Sequence, residues 1–336
     1  MKKYLLAALA VFLLMTILPT LALLRMETVP GEDLPSSSEG LSPDSSQAPT
    51  AEEDTFVLLD TSTGKLLTLN EREFLLGDVA SEMPLSYDPE ALKAQTVAAY
   101  TYYDRLRTRQ RADPDPSLRG ADFTCDTASQ LIYITPEQQK EKWGGEYDTY
   151  YSKLCQAVDA VLGERLTYQG EPAETTFYAI SGGRTESAET VWGEPIAYLV
   201  AVASPGDTLA PGYCSTADFS SAELKEKLTA QWKKLKLSDD PAQWFGTPTC
   251  TESGTVTEIA VGNLTLSGGE LRTALGLRSA IFTVEYQNDT FTFTVRGYGH
   301  GVGMSQYGAN TMARQGATYA EILAWYYPGT TLEATE

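Results

Sequence analysis

Histidine and cysteine, the usual ligands of zinc, are scarce in this sequence. Its 336 residues include one histidine, His300, and four cysteines that are far apart and form no CxxC pair. A typical zinc site needs clustered ligands, so we predict no bound metal and no other cofactor. Disulfide bonds cannot be assigned from the sequence, because a core of this size does not require them and the four cysteines allow three complete pairings. The cysteines are Cys125, Cys155, Cys214 and Cys250.

Basic residues are also few. Lysine and arginine total 25 against 45 aspartates and glutamates, which gives a formal net charge of −20, and the basic residues are scattered. Nucleic-acid binding depends on concentrated positive charge, so we predict no nucleic-acid partner. An acidic exterior also repels anionic polymers. The ligand is therefore expected to be neutral, or to bind in a groove of locally different charge, unless the acidity serves only solubility.

One long hydrophobic run is present, at residues 4–24. At 1.5 Å per residue, about 21 residues suffice to cross a bilayer core. Lys2 and Lys3 before the run should stay in the cytoplasm, so we predict a membrane anchor at residues 1–25 with the rest of the chain outside. The alternative is a cleaved signal peptide, for which residues 20–22 offer only a weak cleavage pattern.

The segment at residues 26–54 is rich in Ser, Pro and acids and poor in large apolar side chains. It cannot bury enough surface to offset chain entropy, and we predict a disordered linker. Residues 55–336 contain abundant Tyr, Phe, Leu and Val, with both helix and strand patterns. We predict one α+β domain of mixed helices and antiparallel strands forming a groove, with a smaller lobe around residues 206–285.

The clearest helix signal lies between residues 75 and 106. Asp88 can cap a helix that starts at Pro89 and carries a face of small and apolar side chains. Glu82 falls in the predicted turn before this helix, beside the largely apolar segment 83–85. Partial desolvation raises a carboxyl pKa, so Glu82 is a candidate general acid. The alternative is a solvated loop carboxylate or a salt-bridge partner at a helix end.

A glycine-containing loop follows a strand-like run at residues 175–180. Its glycines let a backbone approach a ligand closely, and its hydroxyls can bond sugar hydroxyls or the backbone itself. The alternative is a tight structural turn. Trp192, farther along, could stack on a sugar face, although burial is the commoner fate of tryptophan. The loop residues are Ser181, Gly182, Gly183, Arg184, Thr185 and Glu186.

His300 stands among four glycines at alternate positions, 297, 299, 301 and 303. The unperturbed pKa of histidine is about 6.5, so His300 could bind a sugar, share a proton with a carboxylate, or be a satisfied structural residue. Ser305 can cap the helix that follows. A last helix is predicted over residues 317–327, where Thr318 heads a capping box.

Other local patterns predict further elements. Apolar spacing predicts helices over residues 143–162 and 224–237, and alternation over residues 291–296 predicts a half-buried strand. The segment 267–270 matches a capping box before a short helix that ends at Gly276.

Three segments in order resemble the stage II sporulation protein D family. The first reads EMP, then EALKAQ, then AAYTYY, starting at residue 82; the second is FYAISGGRTESAETVW from residue 177, and the third is GHGVGMSQYGANTMARQG from residue 299. The resemblance extends over residues 71–330. It implies a lytic transglycosylase acting on cell-wall glycan strands from which the stem peptides have been removed. One departure from the family pattern matters, because Tyr100 stands where arginine is usual.

The resemblance also implies residue roles. Glu82 would protonate the glycosidic oxygen between N-acetylmuramic acid and N-acetylglucosamine, and then accept a proton as the muramic 6-hydroxyl closes a 1,6-anhydro ring. A hydrolase would need a second carboxylate, for which Glu90 and Glu186 are candidates. The implied substrate groove is lined by Lys93, Gln95, Ser181, Gly182, Gly183, Thr185, Glu186, His300 and Gln306.

The biological setting implied by the resemblance is septal wall remodelling and engulfment during sporulation. The protein would be a single-pass protein of the mother-cell membrane, with its C-terminal domain outside the cytoplasm facing the forespore. Its partners would be a cell-wall amidase and a membrane engulfment complex. The alternative is a non-catalytic glycan-binding module that recruits or stimulates an amidase. The two functions differ at Glu82, which only the enzyme requires for turnover.

Overall fold

A computed structural model describes residues 55–335 of the chain. No helix in this range is long and apolar enough to cross a membrane. The predicted anchor at residues 1–25 and the predicted linker at residues 26–54 lie outside the described residues.

Residues 55–335 contain nine α-helices. Five precede residue 200 and four follow it. They are α1 (Glu71–Glu82), α2 (Pro89–Ala112), α3 (Pro136–Trp143), α4 (Tyr147–Asp159), α5 (Ala188–Trp192), α6 (Ser221–Gln231), α7 (Gly268–Leu275), α8 (Gln306–Arg314) and α9 (Tyr319–Tyr326).

The strands of the same range form small sheets. They are β1 (Thr55–Asp60), β2 (Lys65–Asn70), β3 (Phe123–Cys125), β4 (Glu164–Tyr168), β5 (Glu171–Pro172), β6 (Phe177–Tyr178), β7 (Cys214–Ser220), β8 (Thr249–Cys250), β9 (Val256–Val261), β10 (Leu264–Leu266), β11 (Phe282–Gln287), β12 (Thr290–Arg296), β13 (Met304–Ser305) and β14 (Thr331–Ala334). The sheet orders are β2–β1–β3, β14–β4–β5, β13–β6, β11–β12–β7 and β10–β9–β8. Most pairs are antiparallel, as predicted, whereas β1 with β3 and β6 with β13 are parallel. The mixed α+β class predicted from the sequence is confirmed.

Helix α2 is the central element of the larger hydrophobic core. The Asp88 carboxylate accepts a hydrogen bond from the Glu90 backbone N–H (3.0 Å), and Pro89 occupies the first turn, as the sequence predicts. Buried alanines along the helix let α1, α4, α8, α9 and β4 pack closely around it. Since α1 is one of these neighbours, α2 fixes where the C-terminal end of α1 lies.

A second hydrophobic cluster is built from strands and helices between residues 217 and 295. Trp244 stacks on Phe291 with ring centroids 5.2 Å apart, and Phe219 meets Phe293 edge to face at 5.8 Å. Strand β12 buries alternate side chains, which confirms the half-buried strand predicted there. The smaller lobe predicted around residues 206–285 overlaps this cluster, and its extent as a domain stays a prediction.

Several helix boundaries agree with their sequence signals. Ser267 and Glu270 form the predicted capping box of α7, which ends at Gly276 in a left-handed conformation (φ 68°). Ser305 caps α8, and the capping box of α9 begins at Thr318 as predicted. The third motif therefore contains α8 and is followed by α9, and the sequence encodes the starts of both helices locally.

The predicted turn at Glu82 is wrong, because Glu82 is the last residue of helix α1. That helix starts at a capping box in which Asn70 accepts a bond from the Glu73 backbone N–H (2.8 Å) and Glu73 accepts one from the Asn70 backbone N–H (3.3 Å). The turn itself begins at Met83. A general acid at a helix end has a better-fixed backbone than one in a loop.

The long helix predicted to run from residue 143 to residue 162 is interrupted. Gly144 has φ 49° and ψ −122°, outside the helical region, so α3 ends before it and α4 starts at Tyr147. The helix predicted over residues 224–237 likewise ends at Gln231. Apolar spacing alone did not reveal either boundary.

Replacing Gly303 by alanine should destabilise the fold. Its φ is +81°, and an added Cβ would lie 2.0 Å from the Thr176 carbonyl oxygen, which is fixed backbone. Gly64→Ala is the control, because Gly64 has φ +69° and open space around it. Left-handed strain alone costs roughly 1–2 kcal/mol, and the clash should make the loss for Gly303→Ala larger. The measurement is urea unfolding of the full-length variants; equal losses would contradict the clash.

Candidate functional site

Glu82 is half-buried at the C-terminal end of α1. Its carboxylate accepts no hydrogen bond from any described residue. Burial raises the pKa of Glu82, and the charge of Lys142 offsets part of that rise. Lys142 is held near this helix end because its Nζ donates to the Ala80 carbonyl oxygen (2.8 Å). The arrangement favours a carboxyl group that keeps its proton at a higher pH than an exposed glutamate does.

A second carboxyl group, Asp78, lies one turn earlier on the same face of α1. It is fully buried, and neither of its oxygens has a hydrogen-bond partner among the described residues. Burial raises the pKa of Asp78 well above the usual range, and the charge of Glu82 raises it further. The nearby Tyr103 phenol opposes this rise in pKa, although it makes no hydrogen bond of normal geometry to the Asp78 carboxyl group. Asp78 is thus stored as the neutral acid beside Glu82.

Asp78 is not among the site residues predicted above, although the sequence contains a signal for it. An acid within the apolar run FLLGDVASE, four residues before Glu82, must share the buried face of any helix there. Recognition of α1 from its Asn70 cap would have placed the two carboxyl groups together.

Lys93 and Gln95 on α2 have different environments. Lys93 pairs with Glu90 (2.7 Å) and lies 5.8 Å from the ring centroid of Tyr319. Gln95 is fully buried, and its Oε1 accepts a weak hydrogen bond from Gln306 Nε2 (3.4 Å). Gln95 and Gln306 therefore contact each other in the interior, and their role as substrate contacts stays a prediction.

The Ser181 hydroxyl is buried and belongs to a hydrogen-bond cluster centred on Asp207. The Asp207 carboxylate accepts from Ser181, from Ser204 (2.7 Å) and from Ser305 (2.8 Å). Ser204 also bonds the Tyr326 hydroxyl (2.7 Å). Burial raises the pKa of Asp207, although the serine hydrogen bonds oppose the rise. Ser181 is thereby committed to the protein, and Asp207 links the second motif to the third.

The two glycines after Ser181 allow close packing. A Cβ on Gly182 would lie 2.4 Å from the Ile281 side chain and 3.0 Å from the Ser253 carbonyl oxygen. Gly183 has φ +102°, which favours glycine. Tight packing by the protein itself accounts for both residues, and any contact with a substrate stays a prediction.

Thr185 and Glu186 are also buried. The Thr185 hydroxyl accepts from the Val202 backbone N–H (2.8 Å). Glu186 Oε1 accepts from the Thr251 hydroxyl (2.6 Å), and its backbone N–H donates to the Gly301 carbonyl oxygen (2.7 Å). The loop is therefore held from both sides by backbone and hydroxyl partners.

His300 uses both ring nitrogens within the protein. Nδ1 accepts from the Val302 backbone N–H (3.2 Å), which assigns the proton to Nε2, and Nε2 donates to the Phe177 carbonyl oxygen (3.0 Å). The ring packs on Tyr178 (5.3 Å) and Trp192 (5.6 Å). Burial lowers the pKa of His300 to about 4. His300 is thus a neutral, satisfied residue near pH 7.

The second and third motifs meet directly. Ile180 and Tyr298 exchange two backbone hydrogen bonds, with N···O distances of 3.0 and 2.7 Å, and Glu186 pairs with Gly301 as described above. No hydrogen bond, ion pair or ring contact joins Glu82 to either loop within residues 55–335. A single groove shared by all three therefore stays a prediction.

The turn after Glu82 does reach helix α8 of the third motif. The Tyr87 and Tyr307 rings meet edge to face with centroids 6.0 Å apart. The Asp88 backbone N–H donates to Asn310 Oδ1 (2.8 Å). These contacts fix the Glu82 turn relative to the residues that follow His300 in sequence.

Tyr100, at the position of the family arginine, points toward the start of α1. Its hydroxyl donates to Glu71 Oε1 (3.0 Å), which also accepts from Arg107 (2.8 Å). Tyr100 therefore bonds the opposite end of the helix from Glu82 and supplies no positive charge. Lys142 is the cation that acts on the Glu82 pKa.

The cysteines and acids of residues 55–335 form no group of three or more side chains that could hold a metal ion. Cys125 is a buried free thiol beside Asp60, and burial raises its pKa to about 12. Cys214 and Cys250 are exposed free thiols, and Cys155 is half-buried.

Comparison with known proteins identifies close relatives. A family model described as "Stage II sporulation protein" matches residues 60–168. The chain is 40% identical to stage II sporulation protein D of Bacillus subtilis strain 168, over 79% of this chain and 74% of that protein. It is 39% identical to the protein of the same name from Bacillus amyloliquefaciens, over 80% and 76%. It is also 29% identical to the "Amidase enhancer" of Bacillus subtilis, over 77% of this chain and 40% of that protein.

The pKa of His300 can be measured without ambiguity, because it is the only histidine of the chain. We expect an NMR titration of the imidazole signals to give a pKa of about 4, since burial disfavours the charged ring. The unfolded chain takes up this proton near pH 6.5, so the contribution to stability should be lost as pH falls from about 6.5 toward 4. A midpoint of 6 or above would contradict the buried, doubly bonded ring.

Proposed function

This chain belongs to the stage II sporulation protein D family, and from that membership we propose that it is a peptidoglycan lytic transglycosylase. It cleaves the bond between N-acetylmuramic acid and N-acetylglucosamine in glycan strands that lack stem peptides. The products end in 1,6-anhydro-N-acetylmuramic acid. The site of action is the septal wall during engulfment, reached from a membrane anchor at residues 1–25 with the domain at residues 55–336 outside the cytoplasm.

The observation that carries this proposal is the unbonded, half-buried carboxyl group of Glu82. A general acid must hold its proton until the leaving oxygen takes it. Burial raises the pKa of Glu82, so the carboxyl group keeps its proton at a higher pH than an exposed glutamate does. Because no described residue bonds to this carboxyl group, its oxygens are left for a substrate. Asp78 beside it stays neutral and does not neutralise Glu82 by pairing.

The reaction needs only this one carboxyl group. Protonated Glu82 donates to the glycosidic oxygen as the C1–O4 bond breaks and positive charge develops at C1 of the muramic acid. The resulting carboxylate then takes the proton of the 6-hydroxyl while O6 bonds to C1. No water is consumed, and Glu82 ends protonated as it began.

The proposed second carboxylates of a hydrolase have other partners in this structure. Glu90 pairs with Lys93 and accepts from the Tyr319 backbone N–H (2.8 Å). Glu186 is buried and accepts from Thr251 (2.6 Å). Neither carboxylate is free to activate water, which favours the transglycosylase over the hydrolase.

A non-catalytic glycan-binding module that recruits or stimulates a cell-wall amidase is the second candidate. It is favoured by the relative named "Amidase enhancer" and by the absence of an arginine at Tyr100. Both functions are compatible with an amidase and a membrane engulfment complex as partners. They differ in whether Glu82 is needed for turnover.

Mass spectrometry of the products from peptide-free glycan strands tests the proposal. The full-length protein should release strands ending in 1,6-anhydro-N-acetylmuramic acid, whereas Glu82→Gln should lose at least about 100-fold in rate, because its amide donates no proton. Glu226→Gln is the control, since Glu226 is an exposed glutamate on α6.

Three results would count against this account. Reducing ends in place of anhydro ends would indicate hydrolysis. Undiminished cleavage by Glu82→Gln would remove Glu82 from the chemistry. Glycan binding without cleavage by the wild type would favour the amidase-recruiting module.

A further inference from the structure

Two exposed aromatic rings lie beside the His300 loop. Trp192 is 41% exposed and Tyr298 is 48% exposed, whereas most large apolar side chains of residues 55–335 are buried. Trp192 packs against His300 with ring centroids 5.6 Å apart, and Tyr298 is two residues away in sequence. Neither the Trp192 indole N–H nor the Tyr298 hydroxyl bonds to a described residue. Both rings can therefore stack on a ligand and bond to it.

Two arginines that have no carboxylate partner within residues 55–335 stand beside these rings. The Arg278 guanidinium lies 5.1 Å from the ring centroid of Tyr298. Arg272 is half-buried on α7, and its guanidinium makes no hydrogen bond or ion pair with any described residue. Burial lowers the pKa of Arg272. After burial itself, its charge is a further cause of the low pKa of His300.

An unpaired, partly desolvated guanidinium is unusual in a chain with 45 acidic residues. Removing a charge from water is costly unless an opposite charge replaces the solvent. Glu186 contacts the same loop, but its carboxylate bonds Thr251 (2.6 Å) and pairs with neither arginine. Arg278 has only a weak hydrogen bond to the Gly212 carbonyl oxygen (3.4 Å). Since no carboxylate of residues 55–335 pairs with either guanidinium, both are available to a bound anion.

We propose that Trp192, Tyr298, Arg272 and Arg278 form a subsite for an acidic sugar, the N-acetylmuramic acid of the proposed substrate. The aromatic rings take the apolar faces of the sugar, and the arginines take its free lactyl carboxylate, for which a guanidinium is geometrically suited. This assignment rests on the proposed function for the identity of the strand. Within the subsite, Arg272 and Arg278 bind the negative charge of that strand.

The subsite accounts for how a protein of net charge −20 binds an anionic polymer. General repulsion is overcome locally by these two arginines. Arg272 belongs to α7, which packs in the second cluster, and Trp192 is the last residue of α5, whose Ala188 packs in the first. A stem peptide converts the lactyl carboxylate into a neutral amide. The arginines then lose their partner, so the subsite selects strands without peptides.

The test compares two strands that differ only in this charge. Binding is measured for full-length Glu82→Gln, in which cleavage should be at least about 100-fold slower. The ligands are N-acetylglucosamine–N-acetylmuramic acid tetrasaccharides with free lactyl carboxylates and with the same groups converted to methylamides. We expect the carboxylate strand to bind at least about tenfold more tightly, as a charge-assisted hydrogen bond implies. Arg272→Met and Arg278→Met should each reduce this preference and leave binding of the amide strand unchanged.

Two further variants separate charge from structure. Arg272→Lys should retain part of the preference, and Arg314→Met, which removes an exposed arginine of α8, should retain all of it. Equal binding of the two strands by the parent protein, or absence of binding, would overturn the subsite. So would equal weakening of both strands by Arg272→Met. Failure of the proposed function would be detected in a different experiment, the mass spectrometry of cleavage products, in which the wild type would release no anhydro ends.

Discussion

Hydrogen bonds to the buried Asp207 carboxylate hold the loops of the second and third motifs in place. The carboxylate accepts hydrogen bonds from Ser181 of the second motif, Ser305 of the third and Ser204 between them. Ser305 also caps α8, so one buried carboxylate fixes a loop and a helix start together. The cluster leaves no room for a side chain at Gly308, where a Cβ would lie 2.3 Å from the Ser204 hydroxyl. The motifs are therefore held by shared polar contacts in the interior.

Burial lowers the pKa of His300 and raises the pKa values of Asp78 and Glu82. His300 is kept neutral, because its low pKa and its two hydrogen bonds remove it from titration near pH 7. Asp78 is also kept neutral, by a raised pKa. The pKa of Glu82 is also raised, but this side chain retains access to solvent and its carboxyl group has no bonded partner within residues 55–335. Among these three groups, Glu82 alone combines a stored proton with an exposed path for its transfer, and this combination supports its proposed role.

Local signals in the sequence predicted much of the fold, and long-range polar contacts could not be predicted from it. The Asp88 cap, the capping boxes of α7 and α9 and the alternation of β12 depend on neighbouring residues and are confirmed. The burial of Gln95 against Gln306 joins residues 211 positions apart, which no local pattern encodes. The Asp207 cluster and the unpaired Arg272 were missed for the same reason. The motifs located the candidate site, but only tertiary packing distinguishes its buried members from its exposed ones.

The pH dependence of glycan cleavage shows most directly whether the half-buried Glu82 acts as the general acid. Activity should fall as pH rises through a pKa above the ordinary value of 4.5 for glutamate. Lys142→Met should move this fall to higher pH, because the lysine charge lowers the pKa of Glu82, whereas Lys140→Met, at an exposed position on the same helix, should not. A fall at the ordinary glutamate pKa, or one unmoved by Lys142→Met, would contradict the account.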